Sequence, residues 1–147
     1  MQDFQSKSFE IKNVTWQTYQ AALKRVREQV FIFEQHVPIV LEWDDLDATA
    51  LHLLALNQQG EAIGCARLIG DGNIGRMAVL KSYRGFGIGM ALLNAAVTHY
   101  QQHGIRTVTL SAQTHAIPFY QKAGFEVCSE PYLDAGILHV DMRKQIS

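Results

Sequence analysis

Cysteine and proline are scarce in this chain of 147 residues, which contains two of the first and three of the second. Cys65 and Cys128 lie far apart and share no metal-ligand spacing, so we expect a reduced, cytoplasmic protein without a disulfide framework or a bound metal. The amino terminus has no apolar signal core, and no apolar stretch approaches the ~20 residues of a membrane-spanning helix. The sequence therefore gives no reason to expect a membrane partner.

Neither sign of charge is in excess, because 13 Lys and Arg face 14 Asp and Glu. This balance gives no reason to expect nucleic acid as a partner. The two signs are nevertheless segregated: no Lys or Arg lies between Arg27 and Arg67, and no acid lies between Asp71 and Glu126. The pattern predicts a cationic substrate near the first half and an anionic cofactor near the second, with chance clustering on solvated faces as the alternative.

Alternation and helical periodicity predict a mixed α/β domain around a central sheet. The length fits one domain, residues 1–147. Residues 34–50 lack a regular period and are predicted to form a loop with a short helical turn. The predicted strands span 9–14, 51–57, 62–69, 74–80, 106–111, 125–129 and 135–143, and the predicted helices span 18–33, 87–102 and 117–122. The first helix should bury a face that includes Val30 and Phe33.

Residues 80–90 join an apolar strand to an amphipathic helix through a basic, glycine-spaced turn. The first N–H groups of a helix lack partners inside the helix, and Arg84 adds a planar donor for phosphate oxygens. The spacing of Gly85, Gly87 and Gly89 is not that of a dinucleotide fingerprint, and the Lys-Ser/Thr ending of a nucleoside triphosphate loop is missing. The turn therefore predicts another pyrophosphate compound, and an ordinary strand-to-helix loop is the alternative.

Two motifs resemble the acetyl-CoA signature of the GNAT superfamily of N-acetyltransferases. The first is Arg84-Gly85-Phe86-Gly87-Ile88-Gly89 after the strand 75–79, and the second runs from Ala116 to Phe125. A narrower resemblance, to the small bacterial ElaA-type branch, rests on residues 30–38, 42–47 and 136–139. The resemblance implies the acyl-CoA N-acyltransferase fold: a central mixed, mostly antiparallel sheet of six to seven strands, flanked by about four helices.

The resemblance also implies an activity, the transfer of an acetyl group from acetyl-CoA to a primary amine by direct attack, with no metal. A catalytically weak CoA-binding sensor or scaffold with the same fold is the alternative. The acceptor would be a small molecule or a peptide, and an exposed strand near the carboxyl end would allow a homodimer.

The same resemblance assigns roles to individual residues. Tyr120 would protonate the leaving thiol, and Gln113 stands where similar proteins often carry Asn. The residues implied in cofactor binding are Met77, Ala78, Val79, Arg84, Gly85, Phe86, Gly87, Ile88, Gly89, Gln113, Phe119 and Lys122. Glu34 is the first choice for the base that deprotonates the amine, ahead of Asp44, Asp47, His36, His52 and His115. Arg67 and Arg76 would bind an acceptor carboxylate or pair with these acids, and Cys65 would pack in the core.

Overall fold

A computed structural model describes residues 8–146. Eight strands span Phe9–Val14 (β1), Leu51–Asn57 (β2), Ala62–Ile69 (β3), Asn73–Val79 (β4), Thr107–Gln113 (β5), Glu126–Val127 (β6), Tyr132–Asp134 (β7) and Ile137–Gln145 (β8). Four α-helices span Trp16–Arg27 (α1), Ile39–Glu42 (α2), Ile88–Gln102 (α3) and Ile117–Lys122 (α4), and a π-helix spans Glu28–Glu34. No helix within residues 8–146 is long and apolar enough to cross a membrane.

The strands form one mixed sheet in the order β1-β2-β3-β4-β5-β8-β6, with β7 paired to β8. Every pair is antiparallel except β4 with β5, which confirms the mixed, mostly antiparallel sheet. The prediction of six to seven strands missed β7, which forms a hairpin with β8. Its two loop residues, Ala135 (φ 52°) and Gly136 (φ 79°), both have the left-handed backbone of the tight turn that joins twisted strands.

Helices cover both faces of the sheet, which explains why almost every residue of β2 and β3 is buried. On one face Leu92 and Leu93 of α3 pack in a core with Leu53 of β2. On the other face Leu23 and Val26 of α1 pack in a second core that includes Leu54, Leu56 and Cys65. Cys65 is fully buried, as expected of a packing residue, and burial raises the pKa of its thiol to about 12.

The first predicted helix changes its winding after Arg27, where the π-helix begins. The Gln35 N–H donates to the Val30 carbonyl five residues earlier, at 3.0 Å, which is the π-helical spacing. The wider turn brings Gln35, in addition to Glu34, into the same lining as Val30. The prediction that Phe33 is buried was wrong, because this winding turns its ring outward and leaves it 63% exposed.

Candidate active site

A cleft opens where β4 and β5 separate. The two strands pair only at Asn73 with Thr109 and at Ile74 with Leu110, although each strand is seven residues long. The remaining halves of the strands line a cleft of about 1060 Å³, together with the π-helix, the start of α3, α4 and the β7–β8 hairpin. This volume is of the size that holds a small ligand or cofactor.

Most of the predicted site residues line this cleft. They are Glu34, Met77, Ala78, Val79, Arg84, Gly85, Gly87, Ile88, Gly89, Gln113, Phe119 and Tyr120. Of the residues first assigned to catalysis or cofactor binding, Phe86 and Lys122 are exposed and lie outside the lining. Of the other candidate bases His115 lines the cleft, whereas His36, Asp44, Asp47 and His52 do not.

The glycine-spaced turn forms the mouth of the cleft at the start of α3. Gly85 (φ 87°) and Gly87 (φ 84°) take the left-handed backbone, and Gly87 is the N-cap of α3. A Cβ built on either glycine would meet no atom within 4 Å, so the space beside both is open. The Ala91 N–H donates to Gly87 O at 3.0 Å, and the N–H groups that precede it in the helix have no acceptor within the helix. The turn therefore presents free donors and the positive end of a helix dipole to open space.

The Arg84 side chain is fixed beside this turn by two partners. Its Nε donates to the Val79 carbonyl at 3.0 Å, and its two terminal nitrogens donate to the two carboxylate oxygens of Glu34, each at 2.7 Å. The hydrogen bonds from Arg84 hold the pKa of Glu34 below its ordinary value, although partial burial opposes the shift. A lowered pKa makes Glu34 a weaker proton acceptor as long as this pair is intact.

One edge of β4 faces the cleft with its backbone groups. The Leu80 N–H donates to Ile63 of β3 at 2.9 Å, and backbone groups alternate along a strand, so those of Val79 and Met77 point away from β3. A bulge lies at Arg76 (φ 46°), where β4 has one residue more than β3 between paired positions. Because of this extra residue, the alternation of backbone groups between the β3 side and the cleft side starts again at Met77.

Tyr120 projects from α4 into the cleft lining, with its ring against Phe119 and Phe125 at centroid distances of 5.0 and 6.2 Å. Burial raises the pKa of its hydroxyl to about 12, so the group keeps its proton throughout the neutral range. No hydrogen bond joins this hydroxyl to any other residue in the described part of the chain. The hydroxyl is therefore available as a donor to a bound molecule.

A reciprocal amide pair joins the two sides of the cleft. Gln113, at the end of β5, donates to Gln35 Oε1 at 2.8 Å, and Gln35 donates back to Gln113 Oε1 at 3.4 Å. The longer reach of Gln relative to Asn is what allows Gln113 to meet the end of the π-helix. Sequence reasoning missed Gln35 because an α-helical period does not assign it to the same face as Val30.

The acids of residues 34–50 do not form the negative surface that their number suggested. Arg27 donates to Glu42 at 2.8 Å and to Asp47 at 2.7 Å, and both acids are buried. Arg67 Nη1 lies 2.8 Å from Asp44 and 2.9 Å from Asp47. Arg76 completes the group, with its Nε 3.1 Å from Glu42 and its Nη2 3.3 Å from Asp44. We call these three arginines and three acids the arginine cluster.

Arg67 and Arg76 pair with the acids, which is one of the two roles predicted for them, and both also line the cleft. Glu42, Asp44 and Asp47 do not add a net negative charge that would attract a cationic substrate, because three guanidinium groups balance these three carboxylates. His52 is buried beside the cluster, where its Nε2 donates to the Asp47 carbonyl at 2.9 Å. Burial lowers the pKa of His52, so the ring is neutral.

The β7–β8 hairpin adds residues to the cleft lining that sequence reasoning did not propose as site residues. Ser111, Asp134 and His139 line this part. The register places His139 opposite Gln113 on one side and opposite Tyr132 on the other. Finding them required knowledge of the hairpin, since its pairing brings residues 132–139 to the end of β5. Among residues 8–146, no three His, Cys, Asp or Glu side chains group in a way that could hold a metal ion.

Comparison with known proteins agrees with this geometry. The family profile described as "Acetyltransferase (GNAT) domain" matches residues 13–146. YjcF of Bacillus subtilis, described as an uncharacterized N-acetyltransferase, is 39% identical over 123 residues, covering 81% of this chain and 87% of YjcF. Protein ElaA of Escherichia coli is 31% identical over 133 residues, covering 85% of this chain and 86% of ElaA.

Solved structures share the fold over nearly the whole chain. The crystal structure of Escherichia coli ElaA superimposes with a TM-score of 0.83 and 28% identity, covering 94% of this chain and 100% of ElaA. An acyl-CoA N-acyltransferase from Pseudomonas aeruginosa superimposes with a TM-score of 0.80 and 30% identity, covering 93% of this chain and 98% of that protein. The chain belongs to the GNAT acetyltransferase family and has the acyl-CoA N-acyltransferase fold.

Proposed function

We propose that this protein, as a single N-acetyltransferase domain, transfers an acetyl group from acetyl-CoA directly to a primary amine. The observation that carries the proposal is the cleft between β4 and β5, which has free helix N–H groups at one end and the unpaired Tyr120 hydroxyl in its lining. The Pseudomonas aeruginosa structure is described as an acyl-CoA N-acyltransferase, which supports the same chemistry for this chain.

The mouth of the cleft fits the pyrophosphate of CoA. The N–H groups at the start of α3 and the positive end of the helix dipole favour a bound anion. Gly85 and Gly87 leave open the space that phosphate oxygens need. Arg84 supplies a bidentate donor once it exchanges Glu34 for a phosphate. In this arrangement Met77, Ala78 and Val79 border the pantetheine arm, and Phe119 packs beside Gly89.

The backbone edge of β4 supplies the electrostatic part of catalysis. Attack by an amine on the thioester places negative charge on the carbonyl oxygen, and a fixed N–H donor stabilises that charge by ~3 kcal/mol. The N–H groups of Met77 and Val79 point away from β3 and toward the cleft, which makes them the donors available for this purpose.

Tyr120 is the acid that protonates the departing thiolate. A pKa of about 12 keeps the phenol protonated at every pH at which the enzyme would work. The thiol has an ordinary pKa near ~8.5, so transfer of a proton to it as the C–S bond breaks lowers the barrier. The transfer is direct because neither cysteine suits a covalent route: Cys65 is buried with a raised pKa, and Cys128 lies outside the cleft lining.

Thermal unfolding with acetyl-CoA, CoA, NADH or ATP tests the cofactor assignment. A ligand at 100 times its dissociation constant adds ~2.7 kcal/mol to the free energy of unfolding, so acetyl-CoA and CoA should raise the melting temperature while NADH and ATP should not. Gly87→Ala should lose most of this shift. Gly60→Ala is the matched control, because Gly60 (φ 78°) has the same left-handed backbone and open surroundings outside the cleft lining.

Release of free thiol from acetyl-CoA in the presence of primary amines tests the reaction itself. A panel of spermidine, glucosamine, tyramine, lysine ethyl ester and a peptide with a free amino terminus covers the main classes of acceptor. Turnover with at least one of these amines, and formation of its acetamide, is expected. Normal CoA binding with no turnover across the panel would overturn the proposal in favour of a CoA-binding sensor or scaffold.

A further inference from the structure

The base that accepts the amine proton is the component that the proposed function leaves open, and the cleft holds few groups suited to it. Glu34 contacts Arg84 beside the glycine-spaced turn, so a pyrophosphate that displaces it from Arg84 leaves it at the phosphate end of the cleft. Asp47 and His52 are buried at the arginine cluster and do not line the cleft. The exposed His115 lines the cleft, but no hydrogen bond within residues 8–146 orients its ring. His139 is the remaining imidazole in the lining.

His139 lies in the cleft wall beside the end of β5. It stands opposite Gln113 at the end of β5, on the sheet face opposite to that of Ala112 and Val140, which are buried against the α3 side. The ring stacks on Tyr132 of β7 at a centroid distance of 6.1 Å and is half-buried. The neighbouring strands thus hold the imidazole at the cleft wall.

A main-chain carbonyl fixes the tautomer of this ring. His139 Nδ1 lies 2.7 Å from the Ile137 carbonyl oxygen. A carbonyl oxygen can only accept a hydrogen bond, so Nδ1 carries the proton and Nε2 of the neutral ring carries the lone pair. No hydrogen bond to Nε2 exists among the described residues. The ring therefore has the arrangement of a general base: one nitrogen anchored and the other free to accept a proton.

We propose, on the basis of the proposed function, that His139 Nε2 accepts the proton of the acceptor ammonium group. The freed nitrogen lone pair attacks the thioester carbon, so that a C–N bond forms and the C–S bond breaks. The thiolate takes the proton of Tyr120, and the second proton lost by the acylated nitrogen restores the tyrosine. The proton on His139 leaves to water, so one proton is released for each amide formed.

The charges around His139 suit an ammonium acceptor. Asp134 lines the same end of the cleft, and it is exposed on the β7–β8 hairpin. Asp141 lies on the same strand and accepts a hydrogen bond from Tyr132 at 2.5 Å. Gln113 from β5 is neutral and is held by Gln35. Two carboxylates and no Lys or Arg side chain therefore lie on the strand segments that surround the ring, residues 111–113, 132–134 and 137–141.

His139→Asn is the decisive variant, because an Asn amide at this position retains a donor for the Ile137 carbonyl and removes only the base. With the best amine of the panel, kcat/KM should fall about 100-fold at pH 7. The loss should shrink to about tenfold or less near pH 9.5, where more of the amine is deprotonated in solution. A structural role would instead give the same loss at both pH values, which would overturn the inference.

His103→Gln is the matched control. His103 Nδ1 is bonded to the His99 carbonyl at 2.8 Å, and the residue is exposed at the end of α3, outside the cleft lining. Its substitution should leave kcat/KM within twofold of wild type. Free imidazole should restore activity to His139→Ala, because a small base can occupy the vacated space, whereas no rescue would count against a proton-accepting role.

Nitrogen NMR of the histidine-labelled protein tests the tautomer without any acceptor. The signal that disappears in His139→Asn should show a protonated Nδ1 and an unprotonated Nε2 in the neutral ring, and the reverse pattern would overturn the inference. Wild-type turnover that survives His139→Asn unchanged would refute only the role of His139. Absence of wild-type turnover with every amine would refute the proposed function, and the role of His139 with it.

Discussion

The Arg84 guanidinium and the Glu34 carboxylate form a bidentate ion pair, with both N···O distances at 2.7 Å, across 50 residues of sequence. One residue had been expected to bind pyrophosphate and the other to deprotonate the acceptor. Their pairing means that the two roles are coupled. A pyrophosphate that binds Arg84 must compete with Glu34, and the competition releases the carboxylate.

We expect Glu34→Gln to tighten CoA binding about two- to fivefold. Both side chains are more than a third exposed, so solvent screens the pair and its loss is worth only ~0.5–1 kcal/mol. Isothermal titration of CoA measures the change. In an Arg84→Gln background the same substitution should have no effect on affinity. Weaker binding by Glu34→Gln would instead show that Glu34 positions Arg84 for the phosphates.

Tyr120→Phe should lower kcat by about 10- to 100-fold while the dissociation constant of CoA stays within twofold. The hydroxyl makes no hydrogen bond among the described residues, so its removal should leave the packing against Phe119 and Phe125 intact. Because the pKa of Tyr120 is about 12, wild-type activity should show no loss from this group up to about pH 10. Tyr19→Phe, on α1 and outside the cleft lining, serves as the control. Equal turnover of Tyr120→Phe and wild type would remove Tyr120 from the mechanism.

His52 should make the protein less stable in mild acid. Its pKa in the folded state is lowered, chiefly by burial, while the unfolded chain titrates near the ordinary value of ~6.5. Below that pH the unfolded state binds a proton that the folded state does not, so the free energy of unfolding should fall as the pH drops below about 6.5 and level off above it.

Urea unfolding at several pH values measures this dependence. His52→Gln, which keeps a donor for the Asp47 carbonyl, should show a slope smaller by up to one proton, or ~1.4 kcal/mol per pH unit. The lowered pKa of His99 contributes equally to both proteins, so it does not affect the difference. Identical slopes would contradict the prediction.

Ala135→Asn should stabilise the protein by ~1 kcal/mol. Ala135 holds a φ of 52° in the two-residue turn between β7 and β8, a conformation that is costly for Ala, and Asn-Gly is the preferred pair for such a turn. Ala48→Asn, in an exposed turn where no left-handed φ is found, should change stability by less than ~0.5 kcal/mol. Thermal or urea unfolding compares the two variants.

The sequence predicted the elements whose patterns follow one simple period. The strands β1, β2 and β3 agree with the predicted ranges to the residue, since alternation or an apolar run continues to a turn signal at each end. The glycine-spaced turn could also be placed at the start of α3, because backbone conformation at Gly85 and Gly87 depends mainly on local sterics.

Features that depend on tertiary contacts could not be predicted in the same way. The arginine cluster joins Arg27, Arg67 and Arg76 to acids that lie between Arg27 and Arg67 in sequence. A count of charges along the chain therefore predicts a negative surface where the folded protein has balanced ion pairs. The hairpin of β7 and β8 turns at Ala135-Gly136, and Ala is a poor signal for a left-handed turn. Because this turn was missed, His139 was not included among the candidate site residues.

Because of the π-helix, the shape of the cleft wall depends on how many residues this segment contains as well as on which residues they are. An α-helix over the same path would need one residue fewer, and it would turn Phe33 toward the side of Val30 and Gln35 away from it. Deletion of a single residue within 28–34 would therefore change which side chains of this segment line the cleft. An insertion or deletion at this point of the chain would change the wall of the cleft, while every residue of the glycine-spaced turn stays the same.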